Sequence, residues 1–254
     1  NVYTLTRSNS SSISLDALLQ SLRREDLIRR IYGADSHLEV PIARITDDSR
    51  RVISDTLFVA IPGEQVDGHD FIASAIEQGA VVVACERTPP PAERSSDVVW
   101  IEVNHSRRAL LTLAQTFYSN PAERLELIGI TGTNGKTTTA YLAYHLLRSL
   151  DDTVGLIGTL GAFFDSEQRE LELTTPGPVE LHELWTDMVE AGCEVCVMEL
   201  SSHALEQHRV DPGDFSVGVF TNLTHDHLDY HGTFDAYRNA KKRLFDGLPP
   251  DAVA

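Results

Sequence analysis

One short segment constrains the fold of this chain more than any other. Residues 125–131 (LELIGIT) form an apolar run of strand length, residues 132–135 (GTNG) form a glycine loop, and a helical pattern runs from about Lys136 to Leu150. A strand, a tight glycine loop and a helix in direct succession are typical of parallel α/β units, in which the loop lies at the carboxyl end of the strand. The segment therefore predicts an α/β fold with a parallel sheet.

The residues after this segment continue the alternation of strands and helices. Apolar runs at 154–158, 194–200 and 217–222 predict strands, and residues 179–191 have helical spacing. Such alternation predicts a doubly wound, mostly parallel sheet, and ligands of these sheets bind at the carboxyl ends of the strands.

The first half of the chain predicts a separate, smaller domain of mixed α/β type. Residues 14–31 have apolar positions at three- and four-residue spacing, which predicts one helix or two short ones. Beyond them the pattern predicts strands at 57–61, 80–84 and 98–102 and helices at 71–79 and 107–118.

The chain is long enough for two domains. It has 254 residues, 42% of them apolar, and domains commonly contain about 100–150 residues. Pro121 cannot continue the helix before it, so we predict a first domain at 1–120 and a second at 121–254, incomplete at its carboxyl end. Because the chain begins with Asn1 and ends directly after a helical pattern, we expect it to be a fragment of a longer protein.

Composition argues against a polyanionic partner and a membrane-spanning segment. The 38 acidic and 21 basic residues give a net charge of −17, and the longest basic cluster is Lys241-Lys242-Arg243, so we expect no nucleic-acid partner. The sequence lacks a run of the ~20 apolar residues that cross a bilayer, and its polar opening lacks the apolar centre of a signal peptide. We therefore expect a cytoplasmic protein without membrane insertion.

The three cysteines fit a reducing compartment. Cys85, Cys193 and Cys196 cannot all pair with one another. Cys193 and Cys196 have the spacing of half a zinc site or of a redox pair, but the sequence has no second pair of cysteines. We interpret all three as ordinary buried thiols.

The glycine loop has the chemistry of a phosphate site. Its glycines allow backbone N–H groups to surround phosphates, Lys136 can bring a charge to the outer phosphates, and Thr137 can offer its hydroxyl to Mg²⁺. The common pattern has a glycine five residues before Gly135, where this chain has Ile130, so the loop is a variant form. We predict ATP and Mg²⁺ as its ligands.

Two features downstream bear on metal binding. Glu199 ends an apolar strand, and a carboxylate in that position can hold Mg²⁺ against the phosphates. Residues 224–231 (THDHLDYH) come close to the His-x-His-x-Asp-His signature of dinuclear metallohydrolases, a different class of enzyme. Tyr230 stands where that signature has its last histidine, and a single histidine is more often a hydrogen-bonded or surface residue than a ligand.

Motifs spread along most of the chain resemble the Mur ligase family of peptidoglycan synthesis. They are Asp48-Ser49-Arg50-Arg51, residues 57–63 (LFVAIPG), 67–71 (DGHDF) and 131–139 (TGTNGKTTT), Thr174-Thr175-Pro176, residues 199–203 (ELSSH), Gln207-His208-Arg209, residues 221–224 (TNLT) and 226–232 (DHLDYHG), Tyr237, and Ala240-Lys241. Each motif alone is suggestive, whereas the set in this order is highly specific.

The resemblance implies ATP-dependent amide formation. In this family ATP phosphorylates a substrate carboxylate, and the amine of an amino acid attacks the resulting acyl phosphate. Here it implies addition of the third amino acid to UDP-N-acetylmuramoyl-L-alanyl-D-glutamate. We expect meso-diaminopimelate rather than L-lysine as that amino acid, and we expect the protein to be a monomer. Family members have further segments that bind adenine and the incoming amino acid, so we expect this chain to bind ligands without turning them over.

The resemblance also implies which residues bind ATP and magnesium. The residues implied for ATP are Gly132, Thr133, Asn134, Gly135, Lys136, Thr137 and Thr138. A first Mg²⁺ is expected on Thr137 and Glu199, and a second on Glu199, His227 and Lys241. An ammonium repels a cation, but in this family the matching lysine is carbamylated by CO₂ and becomes an anion. Lys136, Glu199, His227 and Lys241 are thereby the expected catalytic residues.

The resemblance places the nucleotide-sugar substrate on a second set of residues. Ser49 is expected to contact the uridine nucleotide, and the muramoyl dipeptide is expected on Thr174, Thr175, Ser201 and Arg209. The planar fork of Arg209 suits a carboxylate or a phosphate, because it can donate paired hydrogen bonds.

Three alternatives stay open at this point. A folylpolyglutamate synthase-like ligase has a similar loop and carbamylated lysine, but it lacks the separate nucleotide-sugar domain that Asp48-Ser49-Arg50 indicates. A non-catalytic nucleotide-sugar-binding protein is the second alternative, and a zinc hydrolase that uses the histidine-rich segment is the third.

Overall fold

Two α/β units make up the protein, and they divide between Phe117 and Tyr118. The structure, a computed structural model, describes residues 12–33, 40–63, 66–91, 97–150 and 153–254. The polar opening, residues 1–11, lies outside the described residues.

The first unit is built on a five-stranded sheet of order β2-β7-β6-β5-β4. Strands β4 to β7 pair in parallel, β2 runs antiparallel to β7, and β1 and β3 form a separate antiparallel pair. The bounds are β1 Ile13–Ser14, α1 Leu15–Arg24, β2 Ile28–Tyr32, β3 Pro41–Ile42, β4 Arg44–Thr46, β5 Thr56–Val59, α2 Ile72–Glu77, β6 Ala80–Cys85, β7 Val99–Val103 and α3 Ser106–Phe117.

The helix predicted over 14–31 is wrong in its second half, because α1 ends at Arg24 and β2 begins at Ile28. Asp26 has a φ of 53°, in the left-handed region where helices commonly end. The Leu27 N–H donates to the Leu22 carbonyl at 2.9 Å, which closes the last turn. The apolar spacing of residues 28–32 suits a helix as well as a strand, and pairing with β7 makes them a strand.

The second unit is built on a six-stranded sheet of order β11-β10-β9-β12-β8-β13. Strands β9, β12, β8 and β13 are parallel, which confirms the predicted fold class, while β10 and β11 extend the sheet as an antiparallel hairpin that the sequence analysis did not predict. The bounds are β8 Glu126–Thr131, α4 Lys136–Arg148, β9 Val154–Gly158, β10 Gly161–Phe164, β11 Glu167–Arg169, α5 Pro178–Glu190, β12 Val195–Glu199, α6 Ser202–Glu206, β13 Phe215–Phe220, α7 Leu228–His231 and α8 Phe234–Gly247.

Helices cover both faces of this sheet, because neighbouring residues of each buried strand point to opposite sides. On one face α4 packs Ala140 and Tyr144 against Val197 of β12. On the other face Met198, the next residue of β12, lies in a core that includes Trp185 of α5. The same core contains Leu205 of α6 and Leu244 of α8.

Helix α8 carries a buried lysine among its apolar contacts. The Thr233 hydroxyl caps the helix by accepting from the Ala236 N–H at 3.1 Å. Tyr237, Ala240, Lys241 and Leu244 recur at three- and four-residue spacing and are buried, so Lys241 lies on the inner face of the helix. Lys242 lies on another face, and its side chain is 59% exposed.

The three cysteines are buried, as the sequence analysis expected. Burial raises the pKa of the Cys85 thiol to about 11 and raises that of Cys196 as well, so both thiols are protonated near neutral pH. Among the described residues, none of the helices combines the length and apolarity needed to cross a membrane.

Two leucines of the second unit provide a matched test of this core. Leu127 of β8 is fully buried, whereas Leu146 of α4 is 64% exposed. We predict that Leu127→Ala lowers the free energy of unfolding by about 2–5 kcal/mol, because it leaves a cavity. Leu146→Ala is expected to change it by less than about 0.5 kcal/mol. Urea unfolding followed by tryptophan fluorescence measures both, and equal losses would contradict the assigned faces.

Candidate functional site

The glycine loop joins β8 to α4 and packs against the residues that follow β13. The Thr133 N–H donates to the Asn222 carbonyl at 2.9 Å, and the Thr221 hydroxyl donates to the Asn134 carbonyl at 2.7 Å. Gly132 has a φ of 150°, and a Cβ there would lie 1.9 Å from the Thr221 Oγ1. A larger residue therefore cannot occupy position 132 without displacing the loop.

The loop and the start of α4 fit the phosphates of a nucleotide. The first N–H groups of a helix lack partners within it and carry a partial positive charge, which attracts anions. The Lys136 Nζ donates to the carbonyls of Gly132 at 2.9 Å and Thr133 at 3.0 Å, so its charge lies over the loop. Burial lowers the pKa of Lys136, and nearby Glu199 and Asp226 oppose this effect.

Glu199 lies at the carboxyl end of β12, next to the loop, and is only 1% exposed. One carboxylate oxygen, Oε2, accepts from the hydroxyls of Thr137 at 2.9 Å and Thr159 at 3.3 Å. The other, Oε1, accepts from the Thr159 N–H at 2.8 Å. A carboxylate and a hydroxyl in contact are hard oxygen ligands of the kind Mg²⁺ prefers, so the residues fit the predicted first magnesium site.

Gly158 permits this position of the carboxylate. A Cβ at residue 158 would lie 2.3 Å from the Glu199 Oε1, well inside van der Waals contact. The end of β9 and the Glu199 side chain can approach this closely because residue 158 has no side chain.

Lys241 extends from α8 to the same loop. It is 3% exposed, its Nζ donates to the Gly132 carbonyl at 2.8 Å, and the ring centroid of Tyr237 lies 4.7 Å from the Nζ. Burial and then the charge of Lys136 lower the pKa of Lys241 to about 7, against an opposing effect of Asp226. Near neutral pH much of this amine is therefore uncharged, which is the form that reacts with CO₂.

The histidine-rich segment packs as a group of rings. The centroid of His203 lies 4.0 Å from that of Tyr230, 5.0 Å from that of His227 and 5.5 Å from that of His231. Burial, followed by the neighbouring His227 and His231, lowers the pKa of His203 to about 4. Within the described ranges, no three His, Cys, Asp or Glu side chains form a group that could hold a metal ion. The second magnesium site on Glu199, His227 and Lys241 thus stays a prediction.

The residues predicted for the muramoyl dipeptide lie around the backbone of Glu199. The Thr175 hydroxyl donates to the Glu199 carbonyl at 2.8 Å and accepts from the Ser201 N–H at 3.1 Å. The Arg209 guanidinium donates to the Thr175 carbonyl at 2.7 Å, and the Thr174 hydroxyl lies 3.1 Å from that of Thr159. The structure therefore brings Thr174, Thr175, Ser201 and Arg209 to one sheet edge, while their contact with a substrate stays a prediction.

Ser49 belongs to the first unit, where it begins a one-turn 3-10 helix, Ser49–Arg51. The Asp48 carboxylate caps this turn by accepting from the Arg50 N–H at 2.9 Å, and it also pairs with the Arg50 guanidinium at 2.8 Å. The contact of Ser49 with uridine stays a prediction.

Three residues without a role predicted from the sequence also shape this site. Thr159 contacts Glu199 twice, Gln207 accepts from Arg209 at 2.8 Å, and Tyr237 joins the loop through a 2.9 Å contact between its Oη and the Thr133 Oγ1. Thr159 directly follows β9, so the rule that ligands gather at the carboxyl ends of parallel strands could have identified it.

Two family models match the chain. The Mur ligase middle domain matches residues 130–254, and the catalytic domain of the Mur ligase family matches residues 41–118. Together they cover most of the chain, including the glycine loop, Glu199 and Lys241.

Curated relatives include two proteins named UDP-N-acetylmuramoyl-L-alanyl-D-glutamate--2,6-diaminopimelate ligase. The protein of Parabacteroides distasonis is 48% identical over 225 residues, which are 88% of this chain and 45% of that protein. The protein of Chlorobaculum tepidum is 48% identical over 248 residues, which are 98% of this chain and 48% of that protein. The chain thus spans about half the length of the curated relatives it matches.

A solved structure of a protein with the same name has a similar fold. It aligns with a TM-score of 0.70 and 27% identity, over 93% of this chain and 46% of that one. Both family models, these relatives and this structural neighbour agree with the geometry of the site: the chain belongs to the Mur ligase family.

Proposed function

We propose that this chain supplies the ATP-binding and nucleotide-sugar-binding part of an ATP-dependent ligase of peptidoglycan synthesis. The reaction is the addition of meso-diaminopimelate to UDP-N-acetylmuramoyl-L-alanyl-D-glutamate. The observation that carries the proposal is that two groups of side chains lie at the same edge of the sheet. The first group is Thr137, Glu199 and Lys241, and the second is Thr174, Thr175, Ser201 and Arg209. The curated relatives are named for this reaction, and they support the choice of substrates.

The nucleotide side of the site has a clear division of tasks. Lys136 and the start of α4 would bind the phosphates, while Thr137 and Glu199 would hold Mg²⁺ beside them. Bound MgATP would supply the phosphoryl group that activates the substrate carboxylate. Because donors from Thr137 and Thr159 already fix the position of the Glu199 carboxylate, its atoms would need little movement when a cation arrives.

Arg209 would orient a carboxylate of the substrate. Arg209 and Gln207 form one hydrogen-bonded pair, and Arg209 is tied to the Thr175 carbonyl, so the guanidinium is held at the edge where Glu199 lies. A guanidinium fork in a fixed position suits a carboxylate or phosphate of the muramoyl dipeptide. Holding both reactants at one edge removes much of the entropic cost of bringing them together.

Lys241 fits a carbamate better than a permanent ammonium. It is buried and lies near Lys136, so an ammonium there is desolvated and repelled by a like charge. A carbamate would turn that repulsion into attraction and would add an anionic oxygen ligand for a cation. We assign the reaction to the cytoplasm, where ATP is available, and the monomeric state stays an expectation.

Binding of the nucleotide sugar tests the proposal on this chain directly. We predict that UDP-N-acetylmuramoyl-L-alanyl-D-glutamate binds with a Kd on the order of micromolar in a calorimetric titration. Arg209→Ala is expected to weaken binding about tenfold or more, because a charge-assisted hydrogen bond is lost. Arg238→Ala is a suitable control, since Arg238 pairs with Asp235 on the exposed side of α8. An intact fold that does not bind the compound would contradict the proposed substrate.

Lys136 provides a test of the nucleotide site. We predict that Lys136→Ala weakens the binding of MgATP by about tenfold or more without changing the fold, because its charge serves the phosphates. Calorimetry measures the affinity and circular dichroism the fold. Lys242→Ala changes an exposed lysine paired with Asp246 and is expected to bind MgATP normally. Equal affinity of wild type and Lys136→Ala would refute the phosphate assignment.

Lys241 provides a test of the carbamate in a polypeptide that also carries the further segments of the longer relatives. We predict that Lys241→Ala abolishes most of the ligase activity and that formate or acetate restores part of it, because a small carboxylate can take the place of the carbamate. Lys242→Ala should keep normal activity. If Lys242→Ala is the damaging change and Lys241→Ala is silent, the assigned face of α8 is wrong.

A further inference from the structure

The hydroxyl of Thr159 connects the two halves of the site. Its Oγ1 lies 3.3 Å from the Glu199 Oε2 and 3.4 Å from the Thr137 Oγ1, both of the proposed magnesium site. It also lies 3.1 Å from the Thr174 Oγ1, which belongs to the proposed substrate group. Thr137, Thr159 and Thr174 thus form a continuous row of three hydroxyls that starts beside Glu199.

The single proton of each hydroxyl limits which hydrogen bonds the row can form. A threonine hydroxyl has one proton to donate and two lone pairs that accept. With Glu199 free of a cation, the Thr159 proton goes to the carboxylate, which is the strongest acceptor in reach. The contact between Thr159 and Thr174 must then use the proton of Thr174, which leaves Thr174 with lone pairs alone for a ligand.

A cation held by Thr137 and Glu199 would reverse this arrangement. Thr137 and Glu199 would offer it lone pairs, so the Thr137 proton would point away from it. Thr159 lies in position to accept that proton, and its own proton would then be free for Thr174. Thr174 no longer needs to donate to Thr159, so its proton can go to an oxygen of the substrate.

We propose that Thr159 is a positioning residue that makes Thr174 a hydrogen-bond donor to the substrate when nucleotide and cation are bound. The inference rests on the proposed function and deepens it. Its ligand is an oxygen acceptor of the muramoyl dipeptide, a carboxylate or an amide carbonyl. Binding of Mg²⁺ with nucleotide then strengthens binding of the dipeptide, and by linkage the dipeptide strengthens binding of the nucleotide by the same factor.

The contribution of the Thr159 hydroxyl can be tested separately from that of the Thr159 backbone N–H. Thr159 is exposed and belongs to neither core of the second unit, so a change of its side chain costs little packing. Its N–H holds the Glu199 Oε1 at 2.8 Å through the backbone. Thr159→Val keeps this bond and the shape of the side chain while it removes the hydroxyl, and Thr159→Ser keeps the hydroxyl.

Calorimetric titration of this chain measures the coupling. The dipeptide compound UDP-N-acetylmuramoyl-L-alanyl-D-glutamate is titrated with and without saturating Mg²⁺ and a non-hydrolysable ATP analogue, and the ratio of the two Kd values is the coupling factor. We expect about three- to tenfold tighter binding with nucleotide in wild type and Thr159→Ser, the range of one hydrogen bond. In Thr159→Val we expect a ratio near one, because the Thr174 proton no longer goes to residue 159 and is free for the substrate with and without nucleotide. The affinity measured without nucleotide should therefore rise toward the value that wild type shows with nucleotide.

A matched threonine outside the site serves as the control. The Thr186 hydroxyl donates to the His182 carbonyl of its own helix at 2.7 Å, so Thr186→Val removes a hydroxyl without touching the row. It should show the wild-type coupling factor.

The outcomes separate this inference from the proposed function. Wild-type coupling in Thr159→Val, or binding of both ligands to wild type without coupling, overturns the role of Thr159 and leaves the proposed function standing. If Thr159→Val and Thr159→Ser bind the dipeptide compound equally weakly, both with and without nucleotide, the role of Thr159 is purely structural. That outcome also overturns the inference. If wild type binds neither ligand, the proposed function fails and this inference fails with it.

Discussion

The carboxylate of Glu199 is buried at the carboxyl end of β12, between the strands β8 and β9 that pair with it. A buried charge is costly unless it accepts hydrogen bonds, and here the donors come from Thr137 on α4 and from Thr159 after β9. The backbone carbonyl of the same residue accepts from Thr175. The loop helix, the end of β9 and the segment around Thr175 are therefore all held in place by one residue.

Two lysines meet at the glycine loop that lies next to this carboxylate. Lys136 and Lys241 both donate to the Gly132 carbonyl, at 2.9 and 2.8 Å, so two amines from different helices meet at one oxygen. Burial and mutual repulsion make two ammonium ions unfavourable there, and this lowers the pKa of Lys241 in particular. The site is thus prepared for additional negative charge, which phosphates at Lys136 and a carbamate on Lys241 would bring.

The histidine rings make contacts that their spacing in the sequence does not reveal. The His203 ring contacts the rings of His227, His231 and Tyr230 in edge-on or tilted geometry, and the His231 Nε2 lies 2.9 Å from the Ser202 hydroxyl in the interior. These contacts connect α6 to α7 and thereby fix the segment that precedes α8. The number and spacing of these histidines made a metallohydrolase one alternative from the sequence. The ring contacts of each histidine, however, depend on how α6, α7 and α8 pack.

The sequence by itself determined the parallel α/β class of the second unit, the glycine loop and the strand-end position of Glu199, because strand, loop and helix there are local patterns with strong periodicity. It also placed Lys241 on one face of a helix, since that follows from 3.6 residues per turn. The end of α1 at Arg24 and the strand β2 were decided by pairing with β7, a contact distant in sequence. The row from Thr137 through Thr159 to Thr174 was likewise decided by the tertiary structure alone, because its members come from three separate segments that only the order of the strands brings together.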